Sequence, residues 1–191
     1  FEEYLMMKKR IFENQTPEDY AVLNRHCPYT RSFAKELKAN AVWFPREEEA
    51  PGRNPNFSAV CAAAGALGID GSVCEAVFQD FRGLEHRLEY VRSLDGVDFI
   101  NDSKSTTAEA SRWALLRMDR PIIWICGGRD KGIDFSVLNE LVREKVKHII
   151  AIGEAREKVQ RIFQKSVEVS LSESLQAAVE EARTRAESGD C

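Results

Sequence analysis

Apolar positions recur at two periods along this chain, and from residue 97 onward the two take turns. Short apolar runs at 97–100, 122–126, 148–152 and 167–169 each give way to helical spacing, at 108–118, 135–143, 155–163 and 175–186. Four strand-then-helix units in series predict an α/β fold of Rossmann-like type, a mostly parallel sheet with helices on both faces. Just upstream, runs at 88–94 and 97–100 flank Asp95-Gly96, the favoured two-residue hairpin signal. The helical faces that include Trp113, Leu116 and Val159 are expected to lie in the core.

The first part of the chain is less regular. Helical spacing at 1–13 and 30–38 alternates with strand candidates at 20–23 and 41–44. PREEEAPGRNP, residues 45–55, is rich in charge, Pro and Gly and reads as a linker. The expected organisation is therefore residues 1–45 as the tail of one domain, 46–53 as linker and 54–191 as a second domain. Asn54 and Pro55 make an N-cap and first-turn pair for a helix reaching Gly68. Ser72 with Glu75 forms a capping-box pattern for a further helix, stopped by Gly83.

In a parallel sheet, ligands collect where strands end and helices begin. Two such junctions carry unusual residues. The first is NDSKSTT, residues 101–107, where a plain turn would more often use Gly, Pro or Asn-Gly. Thr106 with Glu109 matches a capping box, so Thr106 could simply cap the next helix. Lys104 is harder to explain, because a cation at the positive end of a helix needs an anion beside it. Asp102 could brace the loop or accept two ribose hydroxyls. The second junction is ICGGRDKGIDF, residues 125–135. It imitates a phosphate-binding loop but has Ile133-Asp134 where Lys-Ser/Thr is required, and it is no G-x-G-x-x-G. Its glycines would let a ligand approach the backbone, and Lys131 is either a point-charge partner for a carboxylate or a solvated loop lysine. A third stretch, GLEHRLE at 83–89, offers Arg87 for phosphate and His86 for packing on a base; a surface Arg and a turn His are the plainer alternatives.

Composition narrows the choice. The chain has 191 residues, 43% hydrophobic and 30% charged, as in an ordinary globular protein. A net charge of −4 gives no electrostatic footprint for nucleic acid or membrane, so an acidic ligand must be held by a few placed cations. Five widely spaced cysteines without a C-x-x-C pair fit reduced thiols in a cytoplasmic protein, not a metal site or disulfide framework. The first residue is not Met, and the last three arrive where a new strand could begin, so a fragment is expected.

Taken in order, IFENQT, GLEHRLE, INDSKSTT and GGRDKGIDF resemble the Mur ligase family, and more narrowly its D-glutamate-adding branch, over nearly the whole chain. The resemblance implies that residues 1–45 end the family's central ATPase domain and that residues 54–191 form its C-terminal Rossmann-like domain, truncated at its end. It implies an ATP-dependent amide ligation in peptidoglycan precursor synthesis. The carboxylate of UDP-N-acetylmuramoyl-L-alanine becomes an acyl phosphate, the amine of D-glutamate attacks, and phosphate leaves. Mg2+ would act as Lewis acid, held mainly by the missing part of the central domain, with no metal ligand assigned in this chain.

By motif position, the resemblance makes Lys104 catalytic and Ser103, Thr106 and Lys131 substrate-binding. Asn14, Asn24, His86, Arg87 and Asp102 would bind the nucleotide. It implies small-molecule partners only, with no nucleic acid and no membrane, and a cytoplasmic monomer. The chain departs from the family in having Ser105 and Thr107 within the S-K-A-T-N pattern and Gly52-Arg53-Asn54 in place of a His-Asn pair. It also lacks G-x-x-x-x-G-K-[ST] and the family's final L-S-P segment. Alone, it is expected to be inactive. A rival reading keeps the same loops in a nonenzymatic Rossmann-like module binding a nucleotide or amino acid; an oxidoreductase domain is disfavoured by the missing G-x-G-x-x-G.

Overall fold

The computed structural model describes residues 1–45 and 55–191. The expected linker at 46–53 lies outside the described residues, as do Gly52, Arg53 and Asn54. The chain divides into two compact units, Phe1–Arg82 and Gly83–Cys191. This division falls later than the boundary expected at 46–53.

The first unit is built on two short parallel strands, β1 (Tyr20–Asn24) and β2 (Asn40–Phe44), paired in register from Tyr20 with Asn40 to Asn24 with Phe44. Ahead of them lies α1 (Glu2–Lys9), extended by a 3-10 turn over Arg10–Phe12, and between them α2 (Pro28–Ala34). α2 starts earlier than its apolar spacing suggested because Pro28 occupies the first turn, where its missing N–H costs nothing. Ala21, Leu23 and Ala39 are buried, with Phe12, Ala34, Leu37 and Trp43 packed around them. α3 (Pro55–Ala66) and α4 (Gly71–Asp80) complete the unit. α3 packs on both strands, and its run of small residues permits that close approach, with Ser58 and Ala62 buried. Phe57 of α3 stacks on Phe78 of α4 with centroids 4.1 Å apart. The N-cap of α4 is Asp70, which accepts from the Ser72 N–H at 2.8 Å, so the cap stands two residues before the expected Ser72.

The second unit follows the strand–helix alternation closely. β3 (Glu89–Leu94) and β4 (Val97–Asn101) form the antiparallel hairpin, turned at Asp95 and Gly96, both at positive φ. Then come α5 (Ala108–Arg117), β5 (Ile122–Gly127), α6 (Asn139–Lys145), β6 (Val146–Ile152), α7 (Arg156–Phe163), β7 (Glu168–Ser172) and α8 (Leu175–Arg185). β5, β6 and β7 are parallel and neighbours in that order. Residues 189–191 run beside both β4 and β5. Gly189 donates to Gly96 O and Asp98 donates to Asp190 O, while Cys191 donates to Pro121 O and Ile123 donates to Cys191 O. The bonding sense is parallel on both sides, so β4 and β5 point the same way.

β6 shows why the sheet is covered twice. Ile149 and Ala151 enter the larger core, with Leu115, Leu138, Val142, Val159 and Phe163. Ile150, on the opposite face, meets Ala178 and Ala182 of α8. A strand buried on both faces reads as continuous apolar sequence, as HIIAI does. Val159 is fully buried as expected, but Trp113 and Leu116 are 48% and 44% exposed. The core face of α5 is instead Ser111, Ala114 and Leu115, and Trp113 stacks outside under the Arg117 guanidinium at 3.8 Å.

Candidate active site

Because β4 and β5 are parallel, the loops that leave them emerge from the same edge of the sheet. The β4–α5 loop carries Asp102, Ser103, Lys104 and Thr106; the β5–α6 loop carries Lys131.

The first loop is held from within. Ser105 N–H donates to Asp102 O at 2.9 Å and Thr106 N–H to Lys104 O at 2.9 Å, two tight successive turns. The N-cap of α5 is Thr107, whose Oγ1 accepts from Ala110 N–H at 3.1 Å. The capping role expected of Thr106 therefore belongs to its neighbour. Thr106 is exposed, and its hydroxyl has no hydrogen-bond partner among the described residues. Lys104 and Ser103 are exposed too, and the Lys104 ammonium makes no ion pair there.

The same loop is stapled to the turn before β3. Lys104 N–H donates to His86 O at 3.0 Å, and Leu88 N–H donates to Asp102 Oδ1 at 3.1 Å. Asp102 thus braces the loop with one carboxylate oxygen, and nothing described engages the other. His86 and Leu88 have φ of 66° and 46°, conformations that L-residues adopt only when surrounding bonds insist. Arg87 sits between them, exposed, its guanidinium without an acidic partner among the described residues. Sequence reasoning assigned no role to Glu89 or Asn101. Both turn out to grip His86: Glu89 Oε2 accepts the His86 N–H at 2.8 Å, and Asn101 Nδ2 lies 2.8 Å from its Nδ1. Nothing in hydrophobic period marks such residues; only the hairpin register, which pairs Glu89 with Asn101, places them together.

In the second loop, the glycines have different work. A Cβ at Gly127 would lie 2.2 Å from Ile152 O, and one at Gly153 would lie 2.7 Å from Gly128 Cα. Gly128 N–H donates to Ile152 O at 2.8 Å, and Ala155 N–H donates to Gly128 O at 2.9 Å. Gly127 is thus required where the end of β5 meets the end of β6. Gly128 has open space on its Cβ side. Asp130 accepts from Lys158 Nζ and from Gly132 N–H, both at 2.9 Å; the lysine first and the amide second hold its carboxyl below the usual range. Asp134 is committed to Ser136, whose hydroxyl and N–H lower its pKa likewise. With both acids engaged elsewhere, Lys131 is left exposed and unpaired among the described residues. Desolvation pushes the Cys126 thiol well above its usual range.

No bond joins the two lysine loops among the described residues. Asn14 and Asn24 belong to the first unit. Asn14 is exposed after the Arg10–Phe12 turn, whereas the Asn24 side chain accepts from His26 N–H at 2.9 Å and shapes the turn after β1. Among the described residues no group of three His, Cys, Asp or Glu side chains is placed to hold a metal ion, so these residues offer Mg2+ no such ligand set. No helix there is long and apolar enough to cross a membrane.

A parallel sheet covered by helices on both faces, with strand and helix alternating along the chain, defines a Rossmann-like α/β domain. Residues 86–191, more than half of the chain, match the Mur ligase, glutamate ligase domain, and the chain belongs to the Mur ligase family. It is 34% identical over 223 residues to the UDP-N-acetylmuramoylalanine--D-glutamate ligase of Koribacter versatilis, covering 100% of this chain and 49% of that protein. The enzyme of the same name from Aquifex aeolicus is 38% identical over 202 residues, covering 95% and 49%. That from Chlorobium limicola is 48% identical over 134 residues, covering 70% and 29%. The chain spans at most about half the length of these curated relatives. In fold it is similar to the crystal structure of MurF from Acinetobacter baumannii, with a TM-score of 0.64 and 18% identity, covering 93% of this chain and 48% of that one.

Proposed function

We propose that the protein carrying this chain is a UDP-N-acetylmuramoyl-L-alanine:D-glutamate ligase, the enzyme called MurD, a cytoplasmic monomer of peptidoglycan precursor synthesis. The observation that carries this reading is that Lys104 and Lys131 stand unpaired on loops leaving the same sheet edge. Two placed ammonium groups suit a small dicarboxylate amino acid, which an overall charge of −4 would otherwise repel.

The reaction forms one amide bond at the expense of one ATP. A carboxylate oxygen of UDP-N-acetylmuramoyl-L-alanine attacks the γ-phosphorus and ADP departs. The amine of D-glutamate then attacks the acyl carbon, loses a proton, and expels inorganic phosphate. Lys131 binds a D-glutamate carboxylate as a point charge. Lys104 is the catalytic residue, stabilising charge at the acyl phosphate and on the tetrahedral oxyanion. Ser103 and Thr106 supply hydroxyls to the incoming amino acid; Thr106 is free to do so because Thr107 takes the cap. Asp102 binds the ribose through its uncommitted oxygen, Arg87 a phosphate, and His86 lies beside them. Asn14 and Asn24 are read as nucleotide-binding residues. Mg2+, when bound, supplies Lewis acidity at the phosphates.

The test is phosphate release by the complete protein. It should require ATP, UDP-N-acetylmuramoyl-L-alanine and D-glutamate together, and Lys104→Ala or Lys131→Ala should impair it. Absence of turnover with all three, together with retained nucleotide or amino-acid binding, would establish the nonenzymatic module instead.

A further inference from the structure

The hydrogen bond between Asn101 and His86 determines which edge of the imidazole carries a proton. Asn101 Oδ1 accepts from Ser103 N–H at 3.1 Å, a role only the amide oxygen can fill. The amide nitrogen must therefore face the other way. There it finds two acceptors, Glu89 Oε2 at 3.1 Å and His86 Nδ1 at 2.8 Å. An amide nitrogen has two hydrogens and no lone pair to offer, so Nδ1 is the acceptor and the neutral ring is protonated on Nε2. Glu89 is fixed in turn. Its Oε2 also accepts the His86 N–H at 2.8 Å, holding that residue at its φ of 66°. Glu89 cannot claim a proton on Nδ1 in this arrangement, because the two atoms are 3.6 Å apart.

The outward edge is open. The His86 side chain is 57% exposed, and Nε2 has no partner among the described residues. The backbone of the same residue ties the turn to Lys104, so the ring is anchored through both main chain and side chain.

We propose that Asn101 and Glu89 are positioning residues that lock His86 as the Nε2–H tautomer, so that the site presents a ring N–H donor to a lone pair of the nucleotide. This rests on the reading of His86 as a nucleotide-side residue. The lock makes the donor available without the cost of selecting a tautomer during binding.

The test uses the complete protein labelled with 15N-histidine, at about pH 8 where an ordinary imidazole is neutral. The His86 signals are assigned by their loss in His86→Gln. Long-range proton–nitrogen correlations should show the Nε2-protonated pattern. Asn101→Asp replaces the donor with an acceptor and should move the proton to Nδ1. It should raise the KM for ATP about tenfold while kcat stays within about twofold, as for one hydrogen bond lost in binding. Asn101→Ala, which adds no charge, should populate both tautomers and raise KM in the same direction; it also serves if the Asp variant does not fold. An Nδ1-protonated wild type, or a tautomer unmoved in both variants, overturns the lock. A moved tautomer with unchanged KM overturns its role in recognition. Should Asp102→Ala and His86→Gln both leave the KM for ATP unchanged, the nucleotide reading of this turn fails by itself, and the recognition role with it.

Discussion

The main-chain N–H of Lys104 donates to the carbonyl of His86 across 3.0 Å. The position of the ammonium-bearing residue is therefore set by backbone bonds that its side chain does not make. Lys104→Ala should keep the fold intact, with thermal unfolding within about one degree of wild type, as for an exposed surface change. Turnover of the complete protein should fall by about 10²–10³, the usual loss when one charge-stabilising donor is removed. A comparable drop in unfolding temperature would mean that the lysine is structural.

Lys131 should behave differently. Its ammonium is assigned to ground-state binding of a carboxylate, so Lys131→Ala should raise the KM for D-glutamate about tenfold or more, with a smaller effect on kcat. Steady-state kinetics with D-glutamate varied would separate the two lysines.

The adjacent threonines should separate stability from substrate use. Thr107→Ala removes the α5 cap and should cost about 1 kcal/mol in urea unfolding. Thr106→Ala, at an exposed hydroxyl without a described partner, should leave stability nearly unchanged and weaken D-glutamate use instead. Equal effects of the two on stability would contradict the assignment of the cap.

These threonines also show where the sequence was legible. Strand–helix alternation identified the second unit because apolar period follows burial, and β6 is buried on both faces. Asp95-Gly96 identified the hairpin because few residues tolerate the turn's positive φ. Choosing between Thr106 and Thr107, or between Asp70 and Ser72, depends on one or two residues of helical phase, which composition does not resolve. Trp113 and Leu116 fall on the helical face expected in the core, yet Ser111, Ala114 and Leu115 are the buried residues of α5. Lys104, Lys131 and Asp102 stood out as chemistry out of place in a loop. Glu89 and Asn101 did not, since their importance arises only from hairpin pairing across twelve residues of chain.

Gly127→Ala should be the most destabilising single change at this edge. Its Cβ would lie 2.2 Å from the Ile152 carbonyl oxygen, a backbone atom, at a φ of 125°. A loss of about 2–4 kcal/mol is expected. Gly128→Ala meets open space and pays only for its φ of 89°, about 1 kcal/mol. Chemical denaturation of both variants checks the ordering.

His148 predicts a pH dependence. It is 4% exposed, with Nε2 at 2.9 Å from Ser170 Oγ. Glu168 of β7 and Glu181 and Arg185 of α8 surround it. Burial first, then the Arg185 charge, lower its pKa despite the two carboxylates. The unfolded chain therefore binds a proton that the folded one resists. This contribution is fully present above the unfolded value of about 6.5 and is lost as pH falls through the lower, folded value. His148→Gln should flatten that slope of stability against pH; an unchanged slope would place the titration elsewhere.

Residues 189–191 splice the hairpin to the three-stranded sheet, bonding to Gly96 and Asp98 on one side and to Pro121 and Ile123 on the other. The strands that lead into the two lysine loops are thus tied together through a three-residue seam at their starts. A slip of one residue in that seam would displace one loop along the strand direction by about 3.3 Å, roughly a hydrogen-bond length. In the proposed reading, the fit to a short diacid would then depend on backbone bonds at the starts of β4 and β5, the opposite strand ends from the lysine loops.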